Sequence, residues 1–260
     1  MQLFLIRHAE TVANVAQVLA GSTDSPLTNH GAVQIERLAQ HFKTEGIHFT
    51  RIYCSDLTRA AQTAAGICIQ QPAPTTLEPV SIPALRERHF GSLEGHWTAF
   101  EQPVNPENPP ESAESVTSRA NSFINDHLLP VILDDRRGKE VVAVVSHGIT
   151  LGFLWRAILE LFDPRGVILP PDIRGADAGG MALRPGWTNT GFMQLDISLS
   201  GPMSHGDDGR DAASYPLSGW SLQVRKVNSR AHLAGLRRVP GIGSAVYDQR
   251  QQRIDGFFKS

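Results

Sequence analysis

Apolar positions along this chain switch between two spacings. Leu3-Phe4-Leu5-Ile6 is an unbroken apolar run, predicting a strand over residues 2–7 that is buried on both faces. A helical period follows, with Val33, Ile35, Leu38, Ala39 and Phe42 on one face; it predicts a helix that is capped by Thr28 or Asn29 and ends at Gly46. Arg51 to Cys54 reads as a short strand, and Leu57, Ala60, Ala61, Ala64 and Ile67 mark a helix over about 57–69. Prolines at 103, 106, 109 and 110 predict a loop, followed by a helix from about Ser112 to Leu129. Val141 to Val145 is continuous and β-branched, as in a central strand, with a helix expected over Gly148 to Leu161. Gly191 to Ile197 and Trp220 to Val227 alternate like strands, whereas the Pro- and Gly-rich stretch from Asp163 to Trp187 predicts no regular element.

Strands alternating with helices predict an α/β protein, a three-layer αβα sandwich around a mainly parallel sheet. At 260 residues the chain is long enough for one large core, which we assign to residues 1–235; the Gly-, Ser- and Asp-rich segment 198–218 is expected to be a mobile surface loop and 236–260 a tail. Charged residues are 19% of the chain and the formal net charge is -2, so neither direct nucleic-acid binding nor membrane association is expected. Strand-like sequence starts at Gln2, and no apolar run approaches the ~20 residues that span a bilayer, so the expectation is a cytoplasmic or nuclear protein. Cys54 and Cys68 are too few for a disulfide framework and lack metal-ligand spacing.

Candidate chemistry gathers where strands end. Arg7-His8 follows the first strand and Ser146-His147 follows the Val141 strand; ligands of open α/β sheets collect beyond such carboxyl ends. Neutral imidazole can attack a phosphoryl group in line, splitting one difficult displacement into two easier ones. Arginine's planar, permanently charged fork suits the phosphoryl oxygens, and a second histidine adds a donor when protonated. Arg7, Arg59 and His147 would hold the phosphate without a metal or other cofactor. Glu87, in Leu85-Arg86-Glu87-Arg88-His89, is the candidate proton donor to the leaving oxygen. His147 also precedes a helix, whose free N–H groups favour an anion.

Other chemistries fit less well. Cys54 and Arg59 are separated by four residues where a cysteine-phosphatase loop needs five, and Ser146 lacks the first glycine of a nucleophile elbow. His8, His89, His96 and His147 have no i, i+4 or CxxC-type spacing for zinc.

The ordered segments Leu5-Ile6-Arg7-His8-Ala9-Glu10-Thr11, Asp24-Ser25-Pro26-Leu27-Thr28 with Gly31, Ser55-Asp56-Leu57-Thr58-Arg59-Ala60, Leu85-Arg86-Glu87 with Phe90-Gly91-Ser92-Leu93-Glu94-Gly95, Glu114-Ser115 with Arg119, and Val145-Ser146-His147-Gly148 resemble the histidine phosphatase superfamily, the phosphoglycerate mutase-like proteins. The likeness covers roughly residues 1–160, with weaker agreement at Trp187-Thr188-Asn189-Thr190. It implies a phosphoglycerate mutase-like fold and a phosphomonoesterase acting on a small phosphorylated metabolite through a phosphohistidine on His8. It also implies Arg7, Arg59 and His147 as the phosphate pocket, Glu87 as general acid, Asn14 as a phosphate contact, and Gly21 and Ser22 in a substrate-contacting loop. Glu10 and Glu94 are nearby carboxylates in contexts similar to that of Glu87. Ala9 departs from the family's commoner glycine. Family mutases carry a long insertion after the segment matching Glu87 to Gly95, and here roughly 20 residues separate Gly95 from Glu114, which favours hydrolysis over phosphoglycerate mutase or fructose-2,6-bisphosphatase-like activity.

The basic C-terminal end carries one further motif. Gln251, Ile254, Phe257 and Phe258 match Q-x-x-[ILM]-x-x-[FY]-[FY] and so resemble the box by which replication and repair proteins bind the sliding clamp (PCNA). A single helical turn would set Ile254, Phe257 and Phe258 on one face. The alternative of a different class is a non-catalytic adaptor that keeps the fold and binds the clamp.

Overall fold

The computed structural model describes residues 1–72, 77–97, 103–135, 137–170, 183–200 and 215–237. Seven strands form one sheet: β1 (Gln2–Arg7), β2 (Arg51–Cys54), β3 (Val80–Ser81), β4 (Val141–Ser146), β5 (Val167–Ile168), β6 (Phe192–Leu199) and β7 (Trp220–Ser229). Their order is β3-β2-β4-β1-β6-β7-β5. β1, β2, β3 and β4 run parallel, β6 is antiparallel to both β1 and β7, and β5 is parallel to β7, so the sheet is mixed and mostly parallel.

Alternation along β1 and β4 sorts side chains to two faces. Phe4, Ile6, Ala143 and Val145 pack with α2 (Asn29–Thr44) and α3 (Thr58–Ile69) through Leu38, Phe42, Ala60, Ala64 and Ile67. Leu3, Leu5, Val142 and Val144 meet α4 (Ala113–Phe123), α5 (Leu129–Asp134) and α6 (Gly148–Leu159) on the other side. The expected three-layer sandwich is therefore present, with β1 and β4 buried at its centre.

The helix expected from Ser112 to Leu129 runs on to Asp134 through a π-helical turn at Ile124–Leu128. Pro130 explains the widening: it has no N–H for the carbonyl of Asp126, and its ring would clash with that carbonyl in a regular α-helix. Three elements escaped the periodicity because they are too short to show one: the single-turn helix α1 (Val12–Ala16) and the two-residue strands β3 and β5. The ends of the segment expected as a loop over 198–218 belong to the fold, since Ser198 and Leu199 pair with Ser221 and Trp220, and Leu217 is buried and donates to Leu161 O. Residues 201–214 and the tail motif at 251–258 lie outside the described residues.

Phe4 anchors the face that carries α2. Its ring meets Phe42, Phe49 and Phe192 at centroid distances of 5.5, 5.4 and 5.9 Å, the first two edge-on. Since Phe4 lies in the strand that ends in His8, Phe4→Ala is expected to lower unfolding free energy by about 3–5 kcal/mol, read from the urea midpoint. A loss below about 1 kcal/mol would show that the cluster does not support β1.

Candidate active site

The pairing of β1 with β4 builds the centre of the site. Arg7 lies opposite Ser146 in a parallel register, so the next residues, His8 and His147, leave the sheet side by side. Neighbouring strands are about 4.8 Å apart, and the two imidazole centroids lie 5.0 Å apart with their planes at 56°. His8 N donates to Ser146 O at 2.9 Å, which continues the ladder one residue past β1. Both histidines are buried.

Arg59 arrives from the first turn of α3. Its guanidinium is 2% exposed and lies at a helix N-terminus, where the helix dipole disfavours a cation. Compensation is by neutral acceptors: Nη2 donates to Gly21 O at 2.6 Å, Nη1 to Thr23 O at 2.8 Å and Nε to His147 Nδ1 at 3.2 Å, while Asp24 comes no nearer than 4.0 Å. Arg7 is held by Trp187 O at 2.6 Å. Its guanidinium also lies close to Gly148, where an added Cβ would sit 3.8 Å from Nε.

Hydrogen bonding assigns the proton on each ring. His8 Nδ1 faces Ala9 O at 2.7 Å, and a carbonyl only accepts, so Nδ1 carries the hydrogen and Nε2 keeps its lone pair. His147 Nδ1 accepts from Arg59 Nε, so its hydrogen is on Nε2. Burial pulls both imidazoles well below the usual histidine range, with Arg7 and Arg59 adding to the effect on each and His8 adding to that on His147. Burial thus favours the neutral His147 ring, in which the Arg59 contact leaves the single N–H at Nε2, so the ring offers a donor even without a second proton. Arg7 Nε and His147 Nε2 are buried donors with no acceptor among the described residues. Each such donor costs about 1–3 kcal/mol, and together with the buried guanidinium of Arg59 and the half-buried one of Arg7 they make the pocket suited to an anion.

The loop that receives Arg59 is fixed by Glu94. Its carboxylate accepts from Ser22 N, Ser22 Oγ and Phe90 N at 2.8, 3.1 and 3.1 Å, and from both N and Oγ1 of Thr23. Gly21 has φ +54°, and an added Cβ there would run into Glu94 Oε1, so the close approach needs glycine. Gly21 and Ser22 thus face Arg59 and Glu94. Asp24 caps α3 by accepting from Thr58 N at 2.8 Å and Thr58 Oγ1 at 2.7 Å.

Glu87 occupies the N-terminus of α6. Its Oε2 accepts from Ile149 N at 3.2 Å and Oε1 from Thr150 N at 3.0 Å and Arg88 N at 3.0 Å. The anion expected at this helix end is therefore, in part, a carboxylate of the protein itself. Arg119 fixes the segment by donating to Ala84 O and Arg86 O at 2.8 and 2.6 Å while paired with Glu111 at 2.8 Å. Glu87 is close enough to Arg7 and Arg59 to oppose the effect of burial on both guanidiniums.

Asn14 is the third residue of α1. Its Oδ1 accepts from Thr11 N at 3.1 Å in a capping box and from Asn189 Nδ2 at 3.0 Å, which leaves the amide N–H2 end for other acceptors. Sequence reasoning missed four supports of the site: Glu94 as the loop anchor, Thr150 beside Glu87, the Trp187 carbonyl under Arg7 and the Asn189 amide over His8 O at 3.1 Å. Only position in the fold reveals them, although Glu94 and the Trp187 segment were already visible as parts of motifs. Among the described residues no group of three or more His, Cys, Asp or Glu side chains is arranged to hold a metal ion, and no helix is long and apolar enough to cross a membrane.

Comparison with known proteins decides the family. The family model for the histidine phosphatase superfamily (branch 1) matches residues 3–167, more than half of the chain. The chain belongs to this superfamily. A probable phosphatase of Schizosaccharomyces pombe is 30% identical over 261 residues, covering 97% of this chain and 78% of its own. A broad-specificity phosphatase of Saccharomyces cerevisiae is 29% identical over 158 residues, 57% of this chain and 66% of its own, and a probable phosphoglycerate mutase of Proteus mirabilis is 30% identical over 177 residues, 62% and 76%. Among solved structures, a mycobacterial glucosyl-3-phosphoglycerate phosphatase superposes with a TM-score of 0.61 at 20% identity, covering 88% of this chain and 99% of that one. This likeness speaks to the phosphoglycerate mutase-like fold. With relatives named as phosphatases, this histidine phosphatase is a phosphoric monoester hydrolase.

Because burial holds the rings of His8 and His147 neutral, both should stay unprotonated when ring NMR signals are followed from pH 8 down through 6.5; a His8 midpoint near 6.5 would contradict the geometry. The unfolded chain takes up protons first, so thermal stability should fall as pH drops below about 6.5, and the pair His8→Asn, His147→Asn should flatten that slope in calorimetry.

Proposed function

We propose that this histidine phosphatase hydrolyses small phosphorylated metabolites through a phosphohistidine on Nε2 of His8. The observation that carries the reading is the Nδ1 contact to Ala9 O at 2.7 Å, which leaves Nε2 of a buried neutral ring as a nucleophile beside the donors of Arg7, Arg59 and His147. In the first step the Nε2 lone pair attacks phosphorus and the bond to the ester oxygen breaks, with Glu87, entering the step as the carboxylic acid, giving that oxygen its proton and becoming the carboxylate. In the second step water attacks phosphorus, the N–P bond breaks, and Glu87 accepts the proton of the water. Arg7 and His147 Nε2–H neutralise the transferring oxygens, Arg59 orients His147 and adds charge, and the Asn14 amide borders the same space. Gly21 and Ser22 act chiefly by holding Arg59. No metal enters these steps.

The short interval between Gly95 and Glu114 supports hydrolysis over mutase chemistry, since a long lid would be needed to keep water from the phosphoenzyme. The names of the yeast and mycobacterial relatives support a soluble phosphate monoester as substrate. With p-nitrophenyl phosphate in EDTA, wild type should release phosphate and His8→Ala should lose at least 10³-fold in kcat, with acid-labile label on the wild-type protein after quenching with a ³²P ester. Phosphate release unaffected in His8→Ala would sink the assignment. Glu87→Gln should slow alkyl phosphates by about 10²-fold or more and p-nitrophenyl phosphate far less, because nitrophenolate leaves without protonation. Equal slowing would remove the acid role from Glu87.

The tail supports a second, independent reading. Gln251, Ile254, Phe257 and Phe258 fit the sliding-clamp box at every specified position, and we propose that they recruit the enzyme to the clamp in a nuclear pool, the rest being cytoplasmic. Calorimetry of the full chain against a eukaryotic clamp should show binding that is lost in Phe257→Ala, Phe258→Ala. Absence of binding by the wild-type chain removes this reading and leaves the phosphatase untouched.

A further inference from the structure

Behind the nucleophile, in the part of the chain beyond the family match at 3–167, lies a strained residue. Thr190 is fully buried and has φ +56°, a left-handed conformation that a β-branched side chain rarely adopts. Such a conformation is strained and persists only where its surroundings force it. Its N–H donates to Arg7 O at 3.0 Å and approaches His8 O at 3.3 Å, while the neighbouring Asn189 Nδ2 donates to His8 O at 3.1 Å. The strained turn therefore grips the backbone of both residues that the proposed mechanism places against phosphorus.

His232 supports this turn from below. Thr190 Oγ1 donates its only hydrogen to Asn189 O at 2.7 Å, so the contact between Oγ1 and His232 Nε2 at 3.0 Å requires that the ring be the donor. The His232 ring stacks on Phe192 at 6.1 Å, lies 6.0 Å from His41, and belongs to a turn tied to α2 through Arg37 Nη1 and Ala234 O at 2.9 Å. Burial, with His41 and Arg37 assisting, lowers its pKa to about 4, so it holds a single proton at neutral pH. Packing alone would be served as well by phenylalanine; the hydrogen bond would not. Asn228, at a register shift in β7 where Phe192 pairs with Ser229 and Gln194 with Lys226, completes the support by accepting from Thr188 N at 3.0 Å and Thr188 Oγ1 at 2.9 Å.

We propose that His232 is a positioning residue, whose Nε2–H holds Thr190 in its strained conformation and through it fixes the carbonyls of Arg7 and His8, and so the aim of the nucleophile. This rests on the phosphohistidine reading for its kinetic consequence but not for its geometry.

A double-substitution cycle tests it with p-nitrophenyl phosphate. His232→Phe, which keeps the stack on Phe192, should lower kcat at least tenfold with KM changed less than threefold, since small misplacements of a reacting group are costly. His232→Gln, which keeps an N–H donor, should recover most of that loss. On a Thr190→Gly background, where positive φ is free of strain, His232→Phe should cost less than threefold, whatever the activity of Thr190→Gly itself. An undiminished kcat in folded His232→Phe, or an equal loss on the glycine background, overturns the proposal. Long-range ¹H–¹⁵N spectra of the wild-type protein give a readout independent of variant folding and of activity: the His232 proton is expected on Nε2 at pH 7, and finding it on Nδ1 also overturns it. A wild type that releases no phosphate defeats the phosphatase reading instead, and the spectra still decide the role of His232.

Discussion

Two guanidinium groups, one buried and one half-buried, with only carbonyls and an imidazole as hydrogen-bond partners among the described residues set the terms for the rest of this structure. Arg59 donates to Gly21 O, Thr23 O and His147 Nδ1, and Arg7 through Nη1 alone to Trp187 O. A carboxylate in contact with either would make a strong bidentate pair and extinguish the anion site. Instead the acidic groups stand one layer back. Glu94 engages the loop whose carbonyls receive Arg59, Asp24 caps the helix that carries it, and Glu87 lies across the N-terminus of α6. The positive charge is thereby kept for a ligand, while the frame around it is held by negative charge that forms no bidentate pair with either guanidinium.

The same arrangement explains how neutral histidines serve an anion. A protonated His8 would lack the lone pair that the proposed attack needs, and burial, with the neighbouring guanidiniums adding to it, disfavours that form. For His147 the contact from Arg59 Nε does a second task by fixing the tautomer, so a neutral ring still presents an N–H. One arginine therefore supplies charge and decides where the proton of its neighbour lies.

The hydrophobic pattern located the central strands, the long helices and the two histidines, because each of those features is local: a run of apolar residues and the polar residues that end it. It fixed β1 at 2–7, placed the ends of α2 and α3 within a residue or two and put Arg7-His8 and Ser146-His147 at strand ends. What it could not supply was partnership between distant segments. Nothing near Glu94 announces that Ser22 and Thr23 will close on it, and nothing near His232 points to Thr190. The π-turn at Ile124–Leu128 was hidden for a different reason, since Pro130 disturbs a helix whose apolar period continues on both sides of it.

Strain and unmet donors are stability given up in favour of an aimed site, and the fold has to carry them. The left-handed Thr190 and the buried donors of Arg7 and His147 lie at the end of β1, which on its apolar side is locked by Phe4 into the ring cluster with Phe42, Phe49 and Phe192. An anion that satisfies those donors returns part of the cost on binding, so ligand affinity and fold stability are linked at this one strand. Phe192 belongs to the cluster and also stacks on His232, so the packing that secures β1 and the turn that restrains Thr190 share a side chain. A loosening of the apolar layer would thus reach His8 along two routes: directly through β1 and indirectly through the turn that clasps the carbonyls of Arg7 and His8.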